Sequence, residues 1–354
     1  MLGYSRAYSL SLAPQLIYTR SNLLPTLVSS KVHRQLEFLA VGSWWLYSTG
    51  EAEGGGNAEK TTASKGSLRR IPGGREDVFA DKSIDLRSTR SLMKFLKVAA
   101  DPEAYITILE EWGNRPFPEY LESHFNIPPR LQAPLIALTS SPNTPADTLT
   151  SYALPRIHRH LTSIGMFGPG FGAVIPKWGG LAEIAQVACR AQAVGGGVYV
   201  LKRGFGTNEE VEEQALGRDG TRFYKEAGLS TVRLQGGEEI KTRWVVGSVW
   251  DLPTRAQQQK PSHEIDPSHV ARSITIVSGS LSQLFPPPAE GAPPPAGAVV
   301  VYPTGTLELE SNDQTPNILK IDHPPVYVTI HSSDTGECPS GQCECLPFLC
   351  SNRF

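Results

Sequence analysis

The chain has 354 residues, 40% hydrophobic and 19% charged, with a formal net charge of −2. That length can hold two or more domains with sizeable cores, and the near-neutral balance removes any whole-chain electrostatic case for nucleic acid or an anionic membrane. There is no apolar run of about 18 residues to span a bilayer and no evident signal peptide. Five cysteines, four of them after residue 337, make no disulfide framework, so the cytoplasm is the expected compartment.

Taken in order, residues 10–29 predict an amphipathic helix, followed by strands at 36–41 and 44–47. Residues 50–65 are rich in Gly, Ala, Glu, Lys and Thr without apolar periodicity and read as a surface loop; order resumes over 68–82. From Asp85 the pattern is helical. Leu86, Met93, Leu96 and Ala100 share one face, and Arg87, Arg90, Lys94 and Lys97 repeat at 3, 4 and 3 on the other as a solvated basic stripe. Further helices are predicted at 104–111, 118–125, 131–139 and 149–164, punctuated by Asn126-Ile127-Pro128-Pro129 and by the Pro/Asn/Ser-rich residues 140–145. A compact all-helical insert fits this stretch.

Residues 165–201 are the most informative part of the chain. A Gly/Pro-rich entry leads to Trp178-Gly179-Gly180, a helix over 181–194, a stop at Gly195-Gly196-Gly197, and a buried strand from Val198. Leu181, Ile184, Ala188 and Ala191 form the expected apolar face. Glu183, Gln186 and Arg190, 3 and 4 apart, form a separate polar stripe, with Tyr199 just beyond. By spacing alone that stripe is a solvated helix face beside a core aromatic. Short β-rich runs follow at 221–224, 229–234 and 240–249, as a hairpin or meander returning to the main sheet, then a polar linker over 253–267. Buried strands are expected at 270–277, 298–303 and 326–331. The PPPAEGAPPP run at 286–295 reads as a surface loop or, less simply, a docking ligand for proline-binding modules. From Cys338 the pattern is lost and an irregular tail is expected.

Motifs for catalysis are weak. Gly168, Gly170 and Ala173 satisfy G-x-G-x-x-A, but Pro169 and Pro176 interrupt the strand–turn–helix context that a dinucleotide needs. No Walker loop and no G-x-S-x-G is present, so no catalytic residue and no cofactor is assigned. His158 and His160 are two apart on a helix, cannot share a metal along it, and are expected to be exposed. Cys338, Cys343, Cys345 and Cys350 lack the spacing of a common zinc module, and Cys350, fifth from the end, is not a prenylation box. No metal site is expected.

The segment Pro176, Trp178-Gly179, Glu183, Gln186, Arg190, Ala193, Gly196-Gly197 and Tyr199 resembles the most characteristic pattern of the Rab GDP-dissociation inhibitor and Rab escort protein family, with Trp178 in place of a tyrosine and Ile184-Ala185 in place of Leu-Pro. Residues 6–14 (RAYSLSLAP) and Arg34-Gln35-Leu36-Glu37-Phe38 are similar to two further family segments. Ile71-Pro72 and Arg75-Glu76-Asp77-Val78-Phe79 resemble the escort branch more than the inhibitors. The resemblance implies an α/β (α+β) flavoprotein-like fold: a mixed-sheet domain from residues 1–85 and 166–335, a helical lipid-associated insert at 86–165, and the tail at 336–354. Relatives have further segments at both ends, so truncation of the chain is expected.

The same resemblance implies binding without turnover. Arg6, Glu183, Gln186, Arg190 and Tyr199 would belong to a platform for Rab GTPases in the GDP form. The complex would be presented to the geranylgeranyltransferase α/β heterodimer, and the helical insert would shield the geranylgeranyl lipid. The protein would be cytoplasmic and cycle transiently to membranes in vesicle-mediated transport. An inhibitor that recycles prenylated Rabs is the alternative within the family. An FAD-dependent oxidoreductase of the same fold is the alternative of another class.

Overall fold

The computed structural model describes residues 3–12, 14–49, 66–73, 78, 84–204, 230–247, 269–288, 290–307 and 324–351. They fall into two units, Met1–Ala191 with Ser268–Phe354, and Gln192–Pro267.

The first unit is a mixed α/β structure around a nine-stranded sheet. Its strands are β1 (Ile17–Tyr18), β2 (Phe38–Ser48), β3 (Ser67–Ile71), β4 (Ala173–Pro176), β7 (His269–Arg272), β8 (Thr275–Val277), β9 (Gly297–Tyr302), β10 (Val326–Ser332) and β11 (Cys343–Ser351). The order is β1-β4-β2-β9-β10-β11-β7, with β3 against β2 and β8 against β11. β2 and β9 pair in parallel, and the other pairings are antiparallel. Alternate residues of a strand face opposite sides. Hence Val299, Val301 and Tyr327 pack with Val41, Trp44 and Leu46 against Ala137 and Leu138 on one face, while Ala298, Val300, Ile330 and Cys343 pack with Leu284 and Phe285 on the other.

Among the described residues, α1 (Leu23–Ser29) is followed by α2 (Leu86–Ala100), α3 (Pro102–Trp112), α4 (Phe117–Phe125), α5 (Pro129–Leu138), α6 (Thr150–Ser163) and α7 (Leu181–Val194). Their ends are chemically marked. The Asp85 carboxylate accepts from Ser88 N at 3.1 Å and caps α2; Asp101 accepts from Glu103 N at 3.0 Å and caps α3, whose first residue is Pro102. Asn126, at φ 54°, closes α4 in the left-handed region. Leu92, Phe95, Phe117, Tyr120, Leu154 and Ile157 form the centre of the helical core.

Several expectations change. Residues 10–12 and 14–22 are not helical: Leu10 and Leu12 are exposed, Pro14 has no N–H to give, and helix begins only at α1. The two early strands are one, β2, with a register shift against β9 between Val41 and Trp44. In α2 the basic stripe is solvated as expected, but the buried face is Leu92, Phe95 and Ala99, and Leu86 is 78% exposed. The run at 270–277 is split into β7 and β8 and is only partly covered. The expected irregular tail contains β11, which pairs with β10, β7 and β8: six residues of β10 give it a template, so pairing overrides its weak internal pattern.

The second unit contains β5 (Ser230–Arg233) and β6 (Glu239–Thr242), an antiparallel pair that forms its own two-stranded sheet and does not join the main one. The expected strand from Val198 is absent: residues 198–200 have no strand geometry, and Val198 and Leu201 are 82% and 84% exposed. A short apolar run becomes strand only with a pairing partner, and the described strands of this unit pair with each other. The expected loop at 50–65, the strand at 221–224, the linker at 253–267, and Arg75-Glu76-Asp77 with Phe79 of the escort-like segment lie outside the described residues.

Candidate functional site

The site is built where β4 passes into α7. Trp178, Gly179 and Gly180 have φ of 72°, 132° and 64° in succession, a left-handed stretch that two glycines make cheap. This turn reverses the chain and starts α7, placing Glu183 in the first helical turn, where the helix dipole favours a carboxylate. The Trp178 N–H donates to Thr335 O at 2.8 Å, and its indole lies over Gly336, at φ 78°, where a Cβ would collide with the ring. The Lys177 ammonium sits 4.7 Å from the Trp178 ring centroid and pairs with Glu37 at 2.9 Å.

One face of α7 holds the helix down. Val187 is buried and Ile184 packs beside it, both against Leu27 and Val32 of α1 and the following 3-10 turn, Val32–Gln35. This corrects the expected face: Ala188 and Ala191 are exposed because a methyl group has too little surface to anchor the helix when Val187 is available. The polar stripe lies outward. Gln186 and Arg190 are exposed and Glu183 is half-buried. Together with Gln35 these three line an open surface concavity, so the structure does bring them to one surface.

Arg6 and Tyr199 are placed differently. Arg6 is exposed in a 3-10 turn, Ser5–Ala7, and does not line that concavity; its segment is tied to the α7 entry turn, since Ser9 Oγ donates to Trp178 O at 3.2 Å. Tyr199 is half-exposed and belongs to the second unit. Gln35 was not singled out as a site residue by sequence reasoning, although its segment was matched; its adjacency to α7 comes from tertiary packing and leaves no spacing signal.

A second feature is an apolar cavity of about 290 Å³ between the helical core and β2–β3, lined among others by Leu46, Ile71, Leu92, Leu96, Leu135 and His160. His160 is buried, contrary to expectation, and stands edge-on to Trp44 and Tyr18 at ring-centroid distances of 5.6 and 5.8 Å. Burial pushes its pKa down to about 4 and lifts that of the Tyr18 phenol to about 12. His158 is half-buried, with Nδ1 3.0 Å from Ala99 O. The two histidines therefore serve packing. Cys338 and Cys343 are free and buried, with thiols pushed up by burial to about 11 and about 12, and are poor nucleophiles. Among the described residues no helix is long and apolar enough to cross a membrane.

No family model matches the chain. Among curated proteins it is similar to the "Rab proteins geranylgeranyltransferase component A" of Candida albicans, at 26% identity over 342 residues, covering 96% of this chain and 46% of that protein. The component A of Saccharomyces cerevisiae is 27% identical over 86% of this chain and 43% of its own length. "Rab escort protein 1" of Arabidopsis thaliana is 25% identical over 86% of this chain and 53% of its own length. The chain thus spans about half the length of the curated relatives it matches. Among solved structures, the Rab GDI of Plasmodium falciparum superposes with a TM-score of 0.61 at 17% identity, covering 99% of this chain and 69% of that one, and the fold is GDI-like.

Proposed function

We propose that this chain, homologous to component A of Rab geranylgeranyltransferase and to the Rab escort proteins, is a binding accessory for Rab GTPases that catalyses no reaction itself. In this reading it takes Rab in the GDP form, presents it to the α/β transferase heterodimer, and shields the attached geranylgeranyl group during transient delivery to membranes. The observation that supports it most is the outward stripe of Gln186 and Arg190, with Glu183 beside it, on a helix anchored by its opposite face. An exposed amide and guanidinium with a half-buried acid beside them, on a helix held by its other face, suit polar recognition of a protein surface, because a planar guanidinium fork matches carboxylates and carbonyls. Arg6 is a further proposed contact of the first unit, and Tyr199 is a proposed Rab contact of the second unit taken by itself.

The apolar cavity is the proposed place for part of the lipid. Burying about twenty carbons at ~0.8 kcal/mol each is worth up to ~15 kcal/mol, which is why a prenylated GTPase needs a carrier to leave a bilayer. The GDI-like fold also supports a second reading, an inhibitor that recycles Rabs already prenylated. Co-purification with the transferase heterodimer separates the two, since only an escort retains it. The flavin-dependent alternative is not favoured, as the curated relatives are named component A and escort proteins.

Titration of fluorescently labelled Rab·GDP against the chain and its Arg190→Ala variant tests the platform. The expected result is a roughly tenfold weaker Kd, about 1.4 kcal/mol, with the thermal midpoint within about 2 °C of wild type. An unfolded variant, or undiminished affinity, removes Arg190 from the platform.

A further inference from the structure

Elsewhere in the main sheet lies a cluster that plays no part in the proposed platform: His331, Glu337 and Glu344, with ligating atoms all within 4.8 Å of one another. β10 and β11 bring two of them together, since His331 and Glu344 are directly paired across the strands and so stand on the same face. Glu337 comes from the connection between those strands. Its Oε2 accepts from Thr335 Oγ1 at 3.0 Å and lies 2.5 Å from His331 Nδ1, while Glu344 Oε1 accepts from Ser11 N at 3.2 Å. The His331 side chain is 1% exposed and the Glu337 side chain 0%, and Glu344 is likewise fully buried.

These bonds leave part of the cluster unexplained. His331 Nε2, Glu337 Oε1, Glu344 Oε2 and the neighbouring Ser11 Oγ are all buried without a hydrogen-bond partner. A buried, unpaired polar atom costs on the order of 1–3 kcal/mol, and a buried carboxylate more. The three side chains crowd together out of reach of water, and among the described residues neither glutamate has a lysine or arginine partner. A divalent cation would neutralise both carboxylates and occupy the idle lone pairs.

We propose that His331, Glu337 and Glu344 bind a divalent transition-metal ion of the zinc class, as a clamp joining the β10–β11 hairpin to the amino-terminal segment that carries Ser11. One imidazole nitrogen with two carboxylate oxygens is a borderline donor set, suited to zinc or manganese better than to magnesium, which prefers all-oxygen octahedra. Zinc bonds of about 2.1 Å put tetrahedral ligand atoms ~3.4 Å apart. Binding at that spacing requires the wider separations, up to 4.8 Å, to close and the His331–Glu337 contact of 2.5 Å to open.

The test is the metal content and thermal stability of the full chain, purified with zinc present and then desalted. About one zinc per chain is expected, with a midpoint that falls by several degrees on chelation. Glu344→Gln is expected to lose the metal while keeping its circular dichroism. Cobalt(II) loading reads the site without a variant: visible d–d bands from the wild-type chain, bleached by added zinc, support the proposal. Should Glu344→Gln fail to fold, that spectrum decides alone, and a silent spectrum overturns the site. A wild-type chain holding less than ~0.1 zinc, with a midpoint indifferent to zinc and chelator, overturns it in favour of a proton shared between the carboxyls. Full zinc retention by a folded Glu344→Gln or His331→Ala variant also overturns it, because the ion then sits elsewhere.

Discussion

His160 illustrates how one buried side chain sets a pH limit on stability. Its folded-state pKa is about 4 against an ordinary 6.5, because burial disfavours the imidazolium. Above about pH 6.5 both states hold it neutral and its contribution is complete. As pH falls from there towards 4, the unfolded chain takes up a proton that the folded chain refuses, and stability is lost, by up to ~3 kcal/mol. Urea unfolding at stepped pH is expected to show this decline, and His160→Gln to make it shallower. Gly336 makes a second residue-scale case. Its left-handed φ of 78° and the overlying Trp178 indole leave no room for a methyl group, so Gly336→Ala should cost ~1–3 kcal/mol in denaturant unfolding and shift tryptophan fluorescence. At this scale the polar stripe of α7 was legible, since residues 3 and 4 apart must share a helix face. His160 was not, because nothing in its immediate neighbours tells which turn of α6 faces the sheet.

The helices were legible to within about two residues at their ends: 104–111, 118–125 and 131–139 were expected where α3, α4 and α5 run Pro102–Trp112, Phe117–Phe125 and Pro129–Leu138, and the caps at Asp85 and Asp101 came only with the structure. Which face each helix buries was harder. In α2 the expected Leu86 is solvated and Phe95 is fully buried, touching Phe117 and Phe125 at centroid distances of 6.0 and 5.4 Å. Phe95→Ala is therefore expected to lower stability by ~3–5 kcal/mol, measured by the urea midpoint at constant slope, whereas Leu86→Ala should change it by less than ~0.5. β11 escaped sequence reasoning for a different cause. Its CECLPFLCS run includes a proline and three cysteines, and only the neighbouring β10 and β7 turn it into a strand.

Taken whole, the main unit depends on that late strand, which lies between β10 and β7 in the sheet. A chain ending at Gln342 would expose β10 as a bare edge and uncover the face on which Cys343 and Leu346 are buried. It is expected to lose cooperative thermal unfolding and to aggregate, a result read by calorimetry and light scattering. The mixed α/β class was expected from the family resemblance, but the order of the strands was not legible, because pairing between distant segments leaves no local mark. The parallel β2–β9 contact has a consequence of its own in the cell. Val41 to Leu46 must wait for Gly297 to Val301, and at about 5–20 residues per second translation takes roughly ten to fifty seconds to deliver them. For that interval the nascent chain holds out a half-built, apolar ribbon beside the ribosome, so its yield will depend on how well chaperones shelter the wait.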